Sequence, residues 1–215
     1  MISYKIYTFR IWMLFLAFVL LYASIAWITN SFILTDSFYY SMWGSQLSED
    51  RLTAAIDLHH QYQWVIYLIQ PLTLLLKWLI LSGTIFTGLF LLNNQISFKN
   101  CFKIIMLAEL IPVTAELAKI FCFLLNKPET IQDIQTFYPL SLTQLLNAKQ
   151  LPVYLVYPLQ QFNLFEVAYW LLIAAGISIH INKPLGDGIK ITASSYGIAL
   201  SIWVLCVVFM QLQFS

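Results

Sequence analysis

The chain has 215 residues, of which 60% are hydrophobic and 10% charged, with a formal net charge of +1 and a mean hydropathy of +0.76. A soluble domain carries about 25% charged residues, so this balance excludes an ordinary soluble globule and indicates an integral membrane protein. No Lys/Arg cluster suggests a nucleic-acid partner, and no CxxC, HExxH, GxxxxGKS/T or GxSxG motif offers a foothold for catalysis.

The N-terminal segment has Lys5 and Arg10 ahead of an apolar run from Ile11 to Ile28. That run is longer than a signal-peptide core of about 7–15 residues, so it reads as a signal anchor. Five apolar segments follow the bilayer requirement of about 20 residues: near 10–29, 65–92, 103–125, 163–181 and 193–213. The expected fold is therefore an all-α polytopic membrane bundle, one domain over 1–215, with interfacial amphipathic helices between spans. The second segment would run about 43 Å as a straight helix against a core of ~30 Å. Pro71 is expected to divide or kink it. Asn126-Lys127-Pro128 and Asn182-Lys183-Pro184 read as helix stops, with Asn in the left-handed cap position.

Charge sets the topology. Five spans place Lys5, Arg10, Lys99, Lys103, Lys183 and Lys190 on one side, against Asp187 alone. The other side holds Arg51, Lys127 and Lys149 among Asp36, Glu49, Asp50, Asp57, Glu129 and Asp133. Basic loops stay cytoplasmic, so the N-terminus is expected inside a bacterial inner membrane and the C-terminus outside.

Between the first and second spans, Phe38, Tyr39, Tyr40 and Trp43 suit a headgroup belt. Ser48 then reads as the N-cap of a helix with Leu52, Ala55 and Ile56 on one face. Residues 126–162 contain an amphipathic piece, Ser141 to Ala148. An apolar run bounded by Pro152 and Pro158 follows, too short to span. Asp57, His59 and His60 make a poor metal set, since neighbouring histidines on a helix point about 100° apart. The stretch Pro184-Leu185-Gly186-Asp187-Gly188 reads as a tight turn. No cofactor or metal is expected. Cys101, Cys122 and Cys206 are odd in number and sit in or beside apolar stretches, against a disulfide framework.

The third segment holds the chain's most expensive residues. Glu109 and Glu116 fall within about 20° of each other on a helix. Pro112 and Lys119 adjoin them, with Ala108 and Ala115 alongside. Leu107, Leu110, Ile111 and Phe121 form the opposite, greasy side. An ionised group facing lipid costs at least ~2.5–3.5 kcal/mol, so the polar stripe should face protein or water. Glu116 and Lys119 can pair at i,i+3, which leaves Glu109 to Lys77 of the second span. The first reading is a structural ion pair fixing how two spans pack. The alternative makes Glu109, Glu116 and Lys77 the working groups of a small proton- or ion-coupled transporter component, which requires a cavity reaching the two glutamates. At the head of the fourth span, Asn163 and Glu166 have capping-box spacing.

From about residue 80 onward the chain resembles the Yip1-domain family of small multi-span membrane proteins. The resemblance lies in Ser97-Phe98-Lys99 before an Ala/Glu-rich stretch ending at Pro112, and in Ser141-Leu142-Thr143-Gln144-Leu145-Leu146. It continues through Asn163-Leu164-Phe165-Glu166-Val167-Ala168-Tyr169-Trp170, closing on Gly176, and a Lys190 loop before the last span. Eukaryotic members are associated with membrane trafficking and small GTPases, and the family has no catalytic residues. The resemblance thus implies a non-enzymatic accessory or scaffold subunit of a larger membrane complex. Its partners would be the lipid bilayer and other membrane subunits.

Overall fold

Apolar runs become helices because each backbone N–H and C=O in a lipid-like medium must find its partner within the segment. In the computed structural model, which describes residues 11–44, 48–146 and 151–214, the run after Arg10 forms α1 (Ile11–Ile28) and a π-helical turn, Thr29–Ile33. Short α2 (Asp36–Trp43) and amphipathic α3 (Glu49–Tyr62) lead into α4 (Trp64–Leu91). Then come α5 (Phe98–Ala108), α6 (Leu110–Leu125), α7 (Ile131–Thr136), α8 (Leu142–Leu145) and α9 (Val153–Gln161). The chain closes with α10 (Leu164–Ile181), α11 (Leu185–Thr192), a π-helical turn Ala193–Gly197, and α12 (Ile198–Phe214). The protein is an all-α bundle; the described residues hold no strand, only an isolated bridge between Ser141 and Asn163. Lys5, Arg10, Ala148 and Lys149 lie outside the described residues.

Among the described residues, four helices are long and apolar enough to cross a membrane: Ile11–Ile33, Trp64–Leu91, Leu164–Ile181 and Leu185–Gln213. The expected fifth, 103–125, is instead two pieces of 11 and 16 residues. Proline lacks an N–H and its ring clashes with the carbonyl four residues back. Pro112 therefore breaks the ladder at Ala108, and the helices separate at Glu109. The junction is short: Glu109 N–H still bonds the Ile105 carbonyl at 3.0 Å, and Val113 N–H bonds the Glu109 carbonyl at 3.2 Å. Joined there, the pieces measure about 40 Å at 1.5 Å per residue.

Three further expectations need correction. Pro71 does not divide the second segment, since α4 is continuous through it. The tight turn at 184–188 is the first half of α11, with Pro184 as its N-cap. Asn182 does adopt the left-handed conformation (φ 53°, ψ 44°), whereas Asn126 ends α6 in an extended one (φ −127°, ψ 95°). The chain after Asn182 folds straight back into α11 and needs the left-handed reversal; after Asn126 it runs on toward α7.

Helices meet where small residues let backbones approach, because lipid offers no hydrophobic drive to pack them. A Cβ on Gly188 would collide with the Ala174 carbonyl and the Ser178 hydroxyl of α10, and one on Gly88 with Ser195. The core centres on Trp78, fully buried and met edge-on by Phe15, Phe18 and Phe102 at centroid distances of 6.0, 5.4 and 6.1 Å. Leu110, Leu117 and Phe121 of α6 are exposed while Ala108, Glu109 and Ala115 are fully buried. The polar stripe faces protein, and the greasy side faces out. Lys183 Nζ donates to Asn94 Oδ1 at 2.9 Å, joining the loop after α4 to the turn after α10. These are two of the loops that the charge pattern places together.

Candidate functional site

The break at Glu109 positions the first half of the site. It sets a carboxylate with no exposure beside Lys77 of α4, whose Nζ lies 2.7 Å from Oε1. Tyr22 OH of α1 donates to the same oxygen at 2.6 Å, and Trp78 Nε1 donates to Oε2 at 3.0 Å. The pairing of Lys77 with Glu109 anticipated from the sequence is therefore present, and it has two further donors that sequence reasoning missed. A buried carboxylate needs its lone pairs satisfied as well as its charge. Three donors from two other helices meet that need, locking α1 and α4 onto the α5–α6 junction. The Lys77 side chain remains 41% exposed.

Glu116 and Lys119 behave differently from the expected pair. No ion pair joins them; Lys119 Nζ instead lies 5.8 Å from the centroid of the Phe123 ring. Glu116 has no hydrogen-bonding or ion-pair partner among the described residues. Pro112 and Glu116 face a cavity of about 420 Å³ between the helices. Lys77, Tyr22 and Ile25 also line it, with Glu166, Tyr169 and Tyr196. Tyr138, Tyr157 and Gln161, from the segment linking α6 to α10, complete it. A second cavity of about 430 Å³ touches Glu109, Gln70 and Thr73 and shares Lys77 and Tyr22 with the first. Between them the two cavities reach both glutamates of the third segment.

Glu166 also departs from expectation. Asn163 caps α10 as anticipated, its Oδ1 accepting from Glu166 N–H at 2.7 Å. The Glu166 side chain does not return to the Asn163 amide. It accepts at Oε1 from Trp170 Nε1 (2.8 Å) and from Tyr196 OH (2.7 Å). Two neutral donors outcompete one backbone amide, and their pull turns the carboxylate toward the cavity. Asn163→Ala is expected to lower stability by about 1 kcal/mol, with Asn163→Ser largely spared. Thermal unfolding in detergent reads both.

Comparison with protein-family models, curated proteins and solved structures gives no match.

The phenols shape the cavity's chemistry. Burial, followed by the charges of Glu116, Glu166 and Glu109, pushes the Tyr138 phenol well above the ordinary tyrosine range, so it stays a neutral donor. Tyr157 OH accepts from Trp203 Nε1 at 2.8 Å, fastening α9 to α12 over the cavity. The Tyr169 hydroxyl is buried and has no hydrogen-bond partner among the described residues. Away from this site, His60 Nε2 pairs with Asp36 Oδ1 at 2.8 Å, tying α3 to α2. Leu52 and Ile56 are the buried residues of α3, while Ala55 is exposed. All three cysteines are free.

Proposed function

We propose that the protein is a non-enzymatic membrane protein whose inter-helix chamber admits a polar solute or ion, as a small proton- or ion-coupled transporter component. The supporting observation is the cavity of about 420 Å³ with Glu116 unpaired on its wall. A cavity of this size falls within the range of small-molecule sites, and an intramembrane carboxylate marks a solute or proton pathway by default. Lys77, held in place by Glu109, acts as a fixed part of the wall, and Glu116 with Glu166 as the charged lining. With the broken α5–α6 segment counted as a fifth crossing, the excess of Lys and Arg in the loops on one side supports a cytoplasmic N-terminus in a bacterial inner membrane. The linking segment α7–α9 then lies outside, over the chamber. Purified protein in liposomes is expected to carry pH-dependent flux, read with an entrapped pH dye. Glu116→Gln should lower it about tenfold or more. Flux equal to that of empty liposomes would remove this reading.

A second reading, the Yip1-like accessory or scaffold subunit, is favoured by α3. This helix buries Leu52 and Ile56 and presents Glu49, Asp50, Arg51 and Asp57 to the exterior. Such a charged face suits a partner subunit. Co-purification from native membranes in mild detergent tests it: a defined partner lost on reversing Glu49 and Asp50 to Lys supports the scaffold.

A further inference from the structure

We infer that the chamber's occupant is a small organic cation carrying an alkylammonium group, held by Glu116 and Tyr169 against tyrosine rings. This rests on the reading of the chamber as a solute site.

The charge balance comes first. Lys77 is the cation on the chamber wall, and its charge is taken by Glu109 at 2.7 Å. Glu116 and Glu166 are left as two carboxylates facing one space, so the lining carries an uncompensated negative charge. Glu166 is partly satisfied by neutral donors to Oε1. Glu116 has no partner among the described residues. Half-buried among apolar helices, such a carboxylate favours a cation beside it.

The second observation is independent of the acids. Tyr169 is 2% exposed, lines the chamber, and its hydroxyl has no hydrogen-bond partner among the described residues. Buried hydroxyls without a partner are rare and point to a missing group. A phenol oxygen can accept from an ammonium N–H, as can the Glu116 carboxylate.

Shape and lining then choose the kind of cation. A metal ion needs a shell of several hard or imidazole ligands, and no three His, Cys, Asp or Glu side chains converge among the described residues. The walls supply aromatic side chains instead, Tyr157 and Tyr196 beside Tyr169. Tyrosine rings attract organic cations, most strongly when desolvated. The volume exceeds that of a bare ion and suits a cation with a short carbon skeleton.

The test uses the full chain in nanodiscs of phosphatidylglycerol, which brings no ammonium group. Choline and ethanolamine are titrated calorimetrically, against the neutral isostere 3,3-dimethyl-1-butanol. Binding of at least one ammonium probe is expected, with the isostere about tenfold weaker or worse. Glu116→Gln should weaken either ammonium probe about tenfold, and Tyr169→Phe should weaken ethanolamine, the probe whose ammonium has N–H donors, several-fold, with Glu129→Gln without effect. Glu116→Asp, which keeps the charge, should retain binding and guards against a folding defect in the Gln variant. Doping with phosphatidylethanolamine separates two sources of the group. Weakened binding of the ammonium probe that binds identifies a lipid headgroup, and unchanged binding identifies a free solute. No binding to the native chain, equal binding of the isostere, or full binding by the Gln variant overturns the inference. Flux without ammonium binding would overturn this inference alone. Binding without flux would overturn the transport reading alone.

Discussion

Glu109→Ala is expected to lower the stability of the protein by about 3 kcal/mol or more, visible as a melting temperature in detergent lower by about 10 °C. The change removes the acceptor of Lys77 Nζ, Tyr22 OH and Trp78 Nε1 together. Breaking a buried ion pair from one side costs about 3–5 kcal/mol because the other charge is left behind. The 41% exposure of Lys77 moves the ion-pair share toward the lower end, since solvent screens the stranded amine. Two neutral donors left inside the core add to the loss. Lys77→Met combined with Glu109→Gln tests the cause. The glutamine keeps an acceptor oxygen for the Tyr22 or Trp78 donor, and no orphan cation remains. The pair of changes should recover all but about 1 kcal/mol. A double variant no better than Glu109→Ala would show that the charge pairing is not what holds α4 to the α5–α6 junction.

The next largest effect is expected at Gly188. Valine there would drive its Cβ into the Ala174 carbonyl and Ser178 Oγ. The first of these is backbone inside α10 and cannot rotate away. The whole α10–α11 hairpin must open, at a cost of about 3 kcal/mol. Gly186, two residues earlier on the same helix, has nothing within 4 Å of an added Cβ. Gly186→Ala should therefore be neutral or stabilise α11 by up to about 1 kcal/mol. Fluorescence-detected size exclusion separates the two: Gly188→Val aggregates on mild heating and Gly186→Ala does not. Equal behaviour would mean that α10 and α11 do not pack as closely as described.

The sequence made some of this legible through scarcity. Lys77 is the only ionisable group of its apolar run, and Glu109 had no partner at helical spacing, so each pointed to the other. The break at Glu109 was less so: 103–125 reads as one span, and a missing N–H does not by itself divide a helix, since α4 runs unbroken through Pro71. Long-range hydroxyls were harder to see. Tyr22, Tyr169 and Tyr196 look like core or belt aromatics in a one-dimensional reading. The usable signal was that mid-span tyrosines carry a polar tip that must be answered within the protein. Glu166 was half legible: its spacing from Asn163 marks the helix start, but Tyr196 lies 30 residues away and wins the carboxylate. The α11 helix was misread because glycines at 186 and 188 signal a turn locally, while the second of them serves close packing on α10. The chamber draws on helices and linkers from Tyr22 to Tyr196, and no local pattern encodes such a space.

The account stands on Glu116 facing a polar chamber reached from the side of α7–α9, with its helix neighbour Leu117 facing lipid. In a background with Cys101, Cys122 and Cys206 replaced by alanine, Glu116→Cys and Leu117→Cys can each be exposed to a membrane-impermeant cationic thiosulfonate in whole cells. The expected result is fast labelling at position 116, slowed when the reagent is made anionic, and no labelling at 117. No labelling at 116, or equal labelling at both positions, would contradict it.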